Sequence, residues 1–156
     1  MAVPRIARWA RWALTLLLVV FLGIQFVRPA RTNPTAPAGT VSLRTQTPPD
    51  ITALLDRSCR DCHSNETRWP LYSTVAPMSW LVADHVRHGR EHFNYSEWNT
   101  YDPDDQDKLL GAMCDLVKRE RMPIPNYLLI HRSAKLSPAD VTALCTWSDK
   151  MRDTLQ

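Results

Sequence analysis

Cys59-Arg60-Asp61-Cys62-His63 constrains this chain more than any other stretch. Two thiols at Cys-x-x-Cys spacing with an adjoining histidine fit the signature for covalent attachment of c-type haem. The thiols can each add to one vinyl group of a single macrocycle, and the histidine then supplies the proximal nitrogen to the iron. A chain built around such a group has to enclose a large planar apolar body.

Two other readings of the pair fit less well. A redox dithiol expects a preceding strand and a βαβ setting. Here an amphipathic helical pattern precedes it, with Ile51, Leu54 and Leu55 on one face. Structural zinc needs two more ligands, usually a second close pair. The remaining cysteines, Cys114 and Cys145, stand singly and 31 residues apart.

The N-terminus reads as a membrane segment. Arg5, Arg8 and Arg11 flank an apolar run over residues 12–27, which Arg28-Pro29 ends. With Trp9 and Ala10 the run approaches the length that spans a bilayer. A cleaved signal peptide would place small residues close behind a shorter core. The one Ala-x-Ala, Ala36-Pro37-Ala38, is distant and carries a central proline. The reading favours an uncleaved single-pass anchor with the basic flank in the cytoplasm.

Residues 29–49 hold five prolines among Thr, Ala and Gly and read as a semi-extended linker. The expected organisation is therefore an anchor over 1–28, a linker over 29–49 and a haem-binding domain over 50–156. The formal charge of +3 hides an asymmetry: residues 41–156 carry all sixteen acids against fourteen Lys and Arg. The exported part is thus mildly acidic and offers no nucleic-acid surface.

The domain carries helical signals and little strand signal, so an all-α, small cytochrome c-like fold is expected behind the single transmembrane helix. Pro49-Asp50 is expected to cap a first helix that leads into Cys59. A second helix runs from about Pro77 or Ser79 to His92. A third starts with Asp102 as N-cap and Pro103 at N1, with Leu109, Leu110, Met113, Leu116 and Val117 at helical spacing. The last has Ser137 as N-cap and Asp140 at N3, a capping-box pattern. Trp69, Trp80, Trp98 and Trp147 either line the haem or pack in the core, and ordinary core packing is expected for at least two.

The second axial ligand decides whether the iron is closed for electron transfer or open to small molecules. Met122 is the preferred ligand, because Pro123 and Pro125 restrict its loop. His131 is the best alternative, and His85 a further one. His88 and His92, at i, i+4, are expected to be solvated. Cys114 and Cys145 are either a disulfide between the third and last helices or two buried thiols.

Several longer runs resemble the bacterial haem-binding domain family of small membrane-anchored c-type cytochromes. They are Ile24-Gln25-Phe26-Val27-Arg28-Pro29 with Asn33-Pro34, then residues 62–70 (Cys-His-Ser-Asn-Glu-Thr-Arg-Trp-Pro), Gly89-Arg90, Asn94-Tyr95-Ser96-Glu97-Trp98, and Met122-Pro123 with Tyr127 and His131. The resemblance implies one covalently attached haem c in a helical domain at the periplasmic face of the bacterial inner membrane. A similarity of the Met-Pro element to mono-haem cytochromes supports Met122. The function expected is electron transfer with periplasmic or inner-membrane redox proteins, rather than catalysis. The alternative is a haem sensor or peroxidase-like enzyme with an open distal position.

Overall fold

The computed structural model describes residues 5–155 of the 156. The chain is all-helical, with no strand among the described residues. In order it forms α1 (Arg5–Ile24), a 3-10 turn (Leu43–Gln46), α2 (Pro49–Ser58), the single-turn α3 (Arg60–His63) and a second 3-10 turn (Leu71–Thr74). Then come α4 (Met78–His92), the 3-10 segment Tyr95–Thr100, α5 (Pro103–Lys118), α6 (Pro125–Leu128), a short 3-10 turn (Arg132–Ala134) and α7 (Pro138–Asp153).

The helix ends follow local chemistry. Asp102 accepts from the Asp105 amide at 2.8 Å, and Ser137 with Asp140 forms a reciprocal capping box, each satisfying amide groups that no helical carbonyl can reach. Pro49 stands at the first helical position of α2, but no side chain caps that helix: its N-cap is Pro48. The expected cap is therefore absent, because proline preorganises the first turn without offering an acceptor. The exit of α5 is a Schellman turn. Glu120 takes the left-handed conformation (φ 53°), its amide bonds Val117, and the Arg121 amide bonds Leu116.

Contacts divide the chain into two units. One comprises residues up to Thr32 together with Trp69–His85. Within it, Ile6–Ile24 is long and apolar enough to cross a membrane by length and composition. The end of α1 is tied to the later segment. Gln25 accepts from the Ala76 amide at 2.9 Å and donates to its carbonyl at 3.2 Å. Trp80 Nε1 donates to the Val27 carbonyl at 2.7 Å.

The other unit comprises Asn33–Arg68 and the chain from Val86 onward. Its core gathers Ile51, Leu54 and Leu55 of α2, Phe93, Tyr95 and Trp98, Leu110 and Val117 of α5, and Leu144 and Trp147 of α7. Thus two of the four tryptophans of residues 41–156, Trp98 and Trp147, are core residues. Helices α5 and α7 pair antiparallel: Asp107 meets Arg152 at 2.8 Å, Ser148 bonds the Leu110 carbonyl, and Cys114 is disulfide-bonded to Cys145. Leu43, inside the stretch read as linker, is fully buried in this core. Asn99 holds the neighbouring backbone by accepting from the Val41 amide and donating to the Gly39 carbonyl. Ser42 Oγ, which donates to the Tyr95 carbonyl, and Arg44, paired with Asp56 at 2.8 Å, add to the hold on a segment whose composition alone reads as unfolded.

Two outcomes follow for stability. Replacing both Cys114 and Cys145 by Ala opens a cross-link spanning 31 residues, and should lower the unfolding free energy by about 3–4 kcal/mol on the chain-entropy account, read as a lower urea midpoint. Glu120→Gly should raise the thermal midpoint, by relieving a left-handed cost of about 1 kcal/mol.

Candidate functional site

The site begins where α2 gives way to α3. Cys59 caps the end of the first and the start of the second, at φ −121° and ψ −34°. Its amide still bonds Leu55, and its carbonyl accepts from Cys62 and His63 at 3.2 and 2.9 Å. That one turn sets Cys59, Cys62 and His63 at i, i+3 and i+4, hence on one face. Arg60 and Asp61 turn the other way, into a separate cleft of about 630 Å³ with Arg57, Arg68, Tyr127 and His131.

Both thiols are unbonded and half-buried. Burial pushes Cys59 up to about 12, aided by Cys62. Burial and then the Asp61 carboxylate push Cys62 up to about 11, against the pull of Arg90. Both are therefore protonated at neutral pH. A dithiol redox centre needs the reverse, a thiol activated by a lowered pKa.

His63 Nδ1 lies 2.9 Å from the Phe93 carbonyl. A carbonyl only accepts, so Nδ1 carries the hydrogen and Nε2 keeps its lone pair. Burial lowers the pKa of His63, opposed by the carbonyls of Phe93 and Gly89, which keeps the ring neutral. The Phe93 ring stands 5.8 Å away, centroid to centroid. A neutral imidazole oriented through Nδ1 is the form in which histidine binds a metal through Nε2.

The residues after His63 fold back under the turn and are held by hydrogen bonds. Ser64 Oγ donates to the Arg60 carbonyl and accepts from Glu66. Thr67 Oγ1 donates to the Asp61 carbonyl. Arg90 of α4 reaches the Ser64 carbonyl, Thr67 Oγ1 and Asn33 Oδ1 at 2.8, 2.8 and 3.1 Å. Asn94 donates to Asn65, which donates to Glu97. Ser64, Asn65, Thr67 and Asn94 are all buried, so each needs these partners. Gly89 allows the approach of α4. A Cβ there would overlap the Cys62 carbonyl oxygen and stand 2.9 Å from its carbon. Gly89, Arg90 and Asn33 stand out in the sequence only through the family resemblance; their spacing carries no signal that they brace the Cys-x-x-Cys turn.

Met122 follows the Schellman turn, and its amide bonds Leu116 at 3.3 Å. It is partly buried, and packs on the same cluster as Cys59. His131 stacks on Tyr127 at 4.2 Å in the cleft behind α3, on the side of Asp61 rather than of the thiols. Tyr127 in turn donates to Asp61 at 3.0 Å. His85 belongs to the first unit. His88 and His92 are exposed, and among the described residues no three His, Cys, Asp or Glu side chains gather to hold a metal ion.

Gly89→Ala should therefore cost about 1–3 kcal/mol of stability through overpacking, measured by urea unfolding beside the tolerant control Gly111→Ala, whose Cβ would meet only the flexible Arg152 side chain at 3.4 Å.

The family model of the haem-binding domain matches residues 19–150. No curated protein and no solved structure matches the chain. The matched stretch contains the α2–α3 turn, its bracing residues, the whole of α2 to α6, the end of α1 and most of α7; this chain belongs to the haem-binding domain family.

Proposed function

We propose that this haem-binding protein is a mono-haem c-type cytochrome, carrying haem covalently on Cys59 and Cys62 and transferring electrons at the periplasmic face of the inner membrane. The observation that carries the proposal is the geometry of one turn: two thiols and an imidazole share a face, with Nδ1 of His63 committed to Phe93. The donor set fits the group. Cys59 and Cys62 hold it, and His63 ligates through Nε2. Haem, when bound, supplies a one-electron iron couple. The chain's own contribution is to fix the imidazole by the Phe93 carbonyl, to keep the thiols in apolar surroundings, and to brace the turn through Arg90.

Met122 is the proposed distal ligand. Its contact with the cluster that also receives Cys59 supports this, as does the Schellman turn that directs the chain at that point. The placement of His131 behind α3 favours Met122 over it.

An uncleaved anchor over residues 1–28 is part of the proposal, ahead of a 29–49 connection that Leu43 pins to the haem domain over 50–156. Gln25 and Val27, at the end of the apolar segment, make specific bonds to Ala76 and Trp80, a role that a discarded signal peptide would not have. Arg5, Arg8 and Arg11 orient the segment, leaving the domain outside the cytoplasm. Partners are periplasmic or membrane redox proteins met in small, transient encounters.

The test is optical. The haem-loaded protein should be low-spin, should resist carbon monoxide when ferrous, and should show a sulfur–iron charge-transfer band that Met122→Ala abolishes. Cys59→Ser with Cys62→Ser should release haem under denaturing conditions that leave it on the wild type. A high-spin wild type that binds carbon monoxide would overturn the carrier reading in favour of a sensor or enzyme. A low-spin spectrum unchanged in Met122→Ala would remove Met122 as ligand.

A further inference from the structure

The unit that contains α1 carries a second apolar feature that the anchor does not explain. Residues 69–83 include no charged side chain, although they belong to the exported part of a chain otherwise rich in charge. Apolar residues in such a run are ordinarily buried. Here Leu71 is 87% exposed, and Val75, Met78 and Leu81 are exposed as well.

These residues are held at one end of the apolar helix. Gln25 brackets Ala76 from both its amide and its carbonyl, Trp80 bonds Val27, and Arg31 reaches Ser73 Oγ at 3.3 Å. Beside them Phe26 and Val27 are exposed too. The same short region holds Trp69, Tyr72 and Trp80, the aromatic types that concentrate at membrane–water boundaries. Arg28 and Arg31 add positive charge. At the opposite end of α1, Trp9 and Trp12 are exposed, with Arg8 and Arg11 beside them. A helix of 19 residues over Ile6–Ile24 measures about 28 Å at the α-helical rise, close to the apolar thickness of a bilayer. Its two ends then lie at two interfaces, each with tryptophan and arginine.

We propose that residues 69–83 form a second membrane contact, seated in the headgroup region of the periplasmic leaflet around the point where α1 leaves it. The inference rests on the anchored reading above. Leu71, Val75, Met78 and Leu81 enter the boundary between headgroups and acyl chains, where exposed apolar area leaves water. Arg28 and Arg31 face lipid phosphates. The bonds from Gln25 and Trp80 couple this surface to the span, so that the two insert as one element. The bilayer is the occupant favoured over a protein partner because the patch is continuous with a segment already suited to lipid.

The full-length protein in vesicles of phosphatidylcholine and phosphatidylglycerol provides the test. A photo-crosslinking residue, p-benzoylphenylalanine, is placed singly at Leu71, Leu81, Val19 within α1, or Asp115 on exposed α5. Covalent lipid adducts are then counted by mass spectrometry. Adducts at Leu71 and Leu81 several-fold above Asp115, and comparable with Val19, are expected. Adducts at Val19 with Leu71 and Leu81 at the Asp115 level would overturn the membrane contact while leaving the anchor intact. Loss of the Val19 adduct would remove the anchor reading and the inference with it. Crosslinks from Leu71 or Leu81 to a second copy of the chain, in place of lipid, would reassign the patch to a dimer contact and overturn the inference.

Discussion

The hydrogen bond from His63 Nδ1 to the Phe93 carbonyl joins the two parts of the structure on which the site depends. It sets the tautomer and the plane of one ring. It also requires the end of α4 to lie against the α2–α3 turn. That approach is possible because position 89 lacks a Cβ. Arg90, one residue later, then meets the backbone of Ser64 and the side chain of Thr67. A turn this short has little apolar area of its own to hold it in place. Its rigidity comes from the polar bracing behind it.

That bracing explains why buried polar residues follow the histidine so closely. Ser64, Asn65 and Thr67 would each cost free energy if left without partners. Each instead satisfies backbone or side-chain groups across the turn. The α5–α7 pair serves a different end. Its disulfide, the Asp107–Arg152 ion pair and the Ser148 bond lie along one antiparallel seam. The seam supports the apolar cluster on which Cys59 and Met122 pack.

Much of this architecture was legible in local patterns. Asp102 and Ser137 mark helix starts because a short polar side chain before a proline can reach the free amides of a first turn. The α5 stripe ends with basic residues, as the helix dipole favours. Structure and local pattern differ where a tertiary partner decides. Pro48 and Pro49 leave α2 without a side-chain cap, and Leu43 is buried from within a proline-rich stretch. Burial of one leucine is invisible to composition, since it depends on a cavity built by residues far along the chain.

The sequence by itself determined the haem-binding class and the close grouping of Cys59, Cys62 and His63, because these three lie within one helical turn and their spacing is local. It also determined the all-helical character and the apolar N-terminal segment, since periodicity and run length act over neighbouring residues. Only the tertiary structure decided that Cys114 and Cys145 are bonded, that Arg90 braces the α2–α3 turn, that His131 lies behind α3, and that Gln25 grips Ala76. These are contacts between residues distant in the chain. Their energies depend on distance and burial, which no single stretch of sequence encodes.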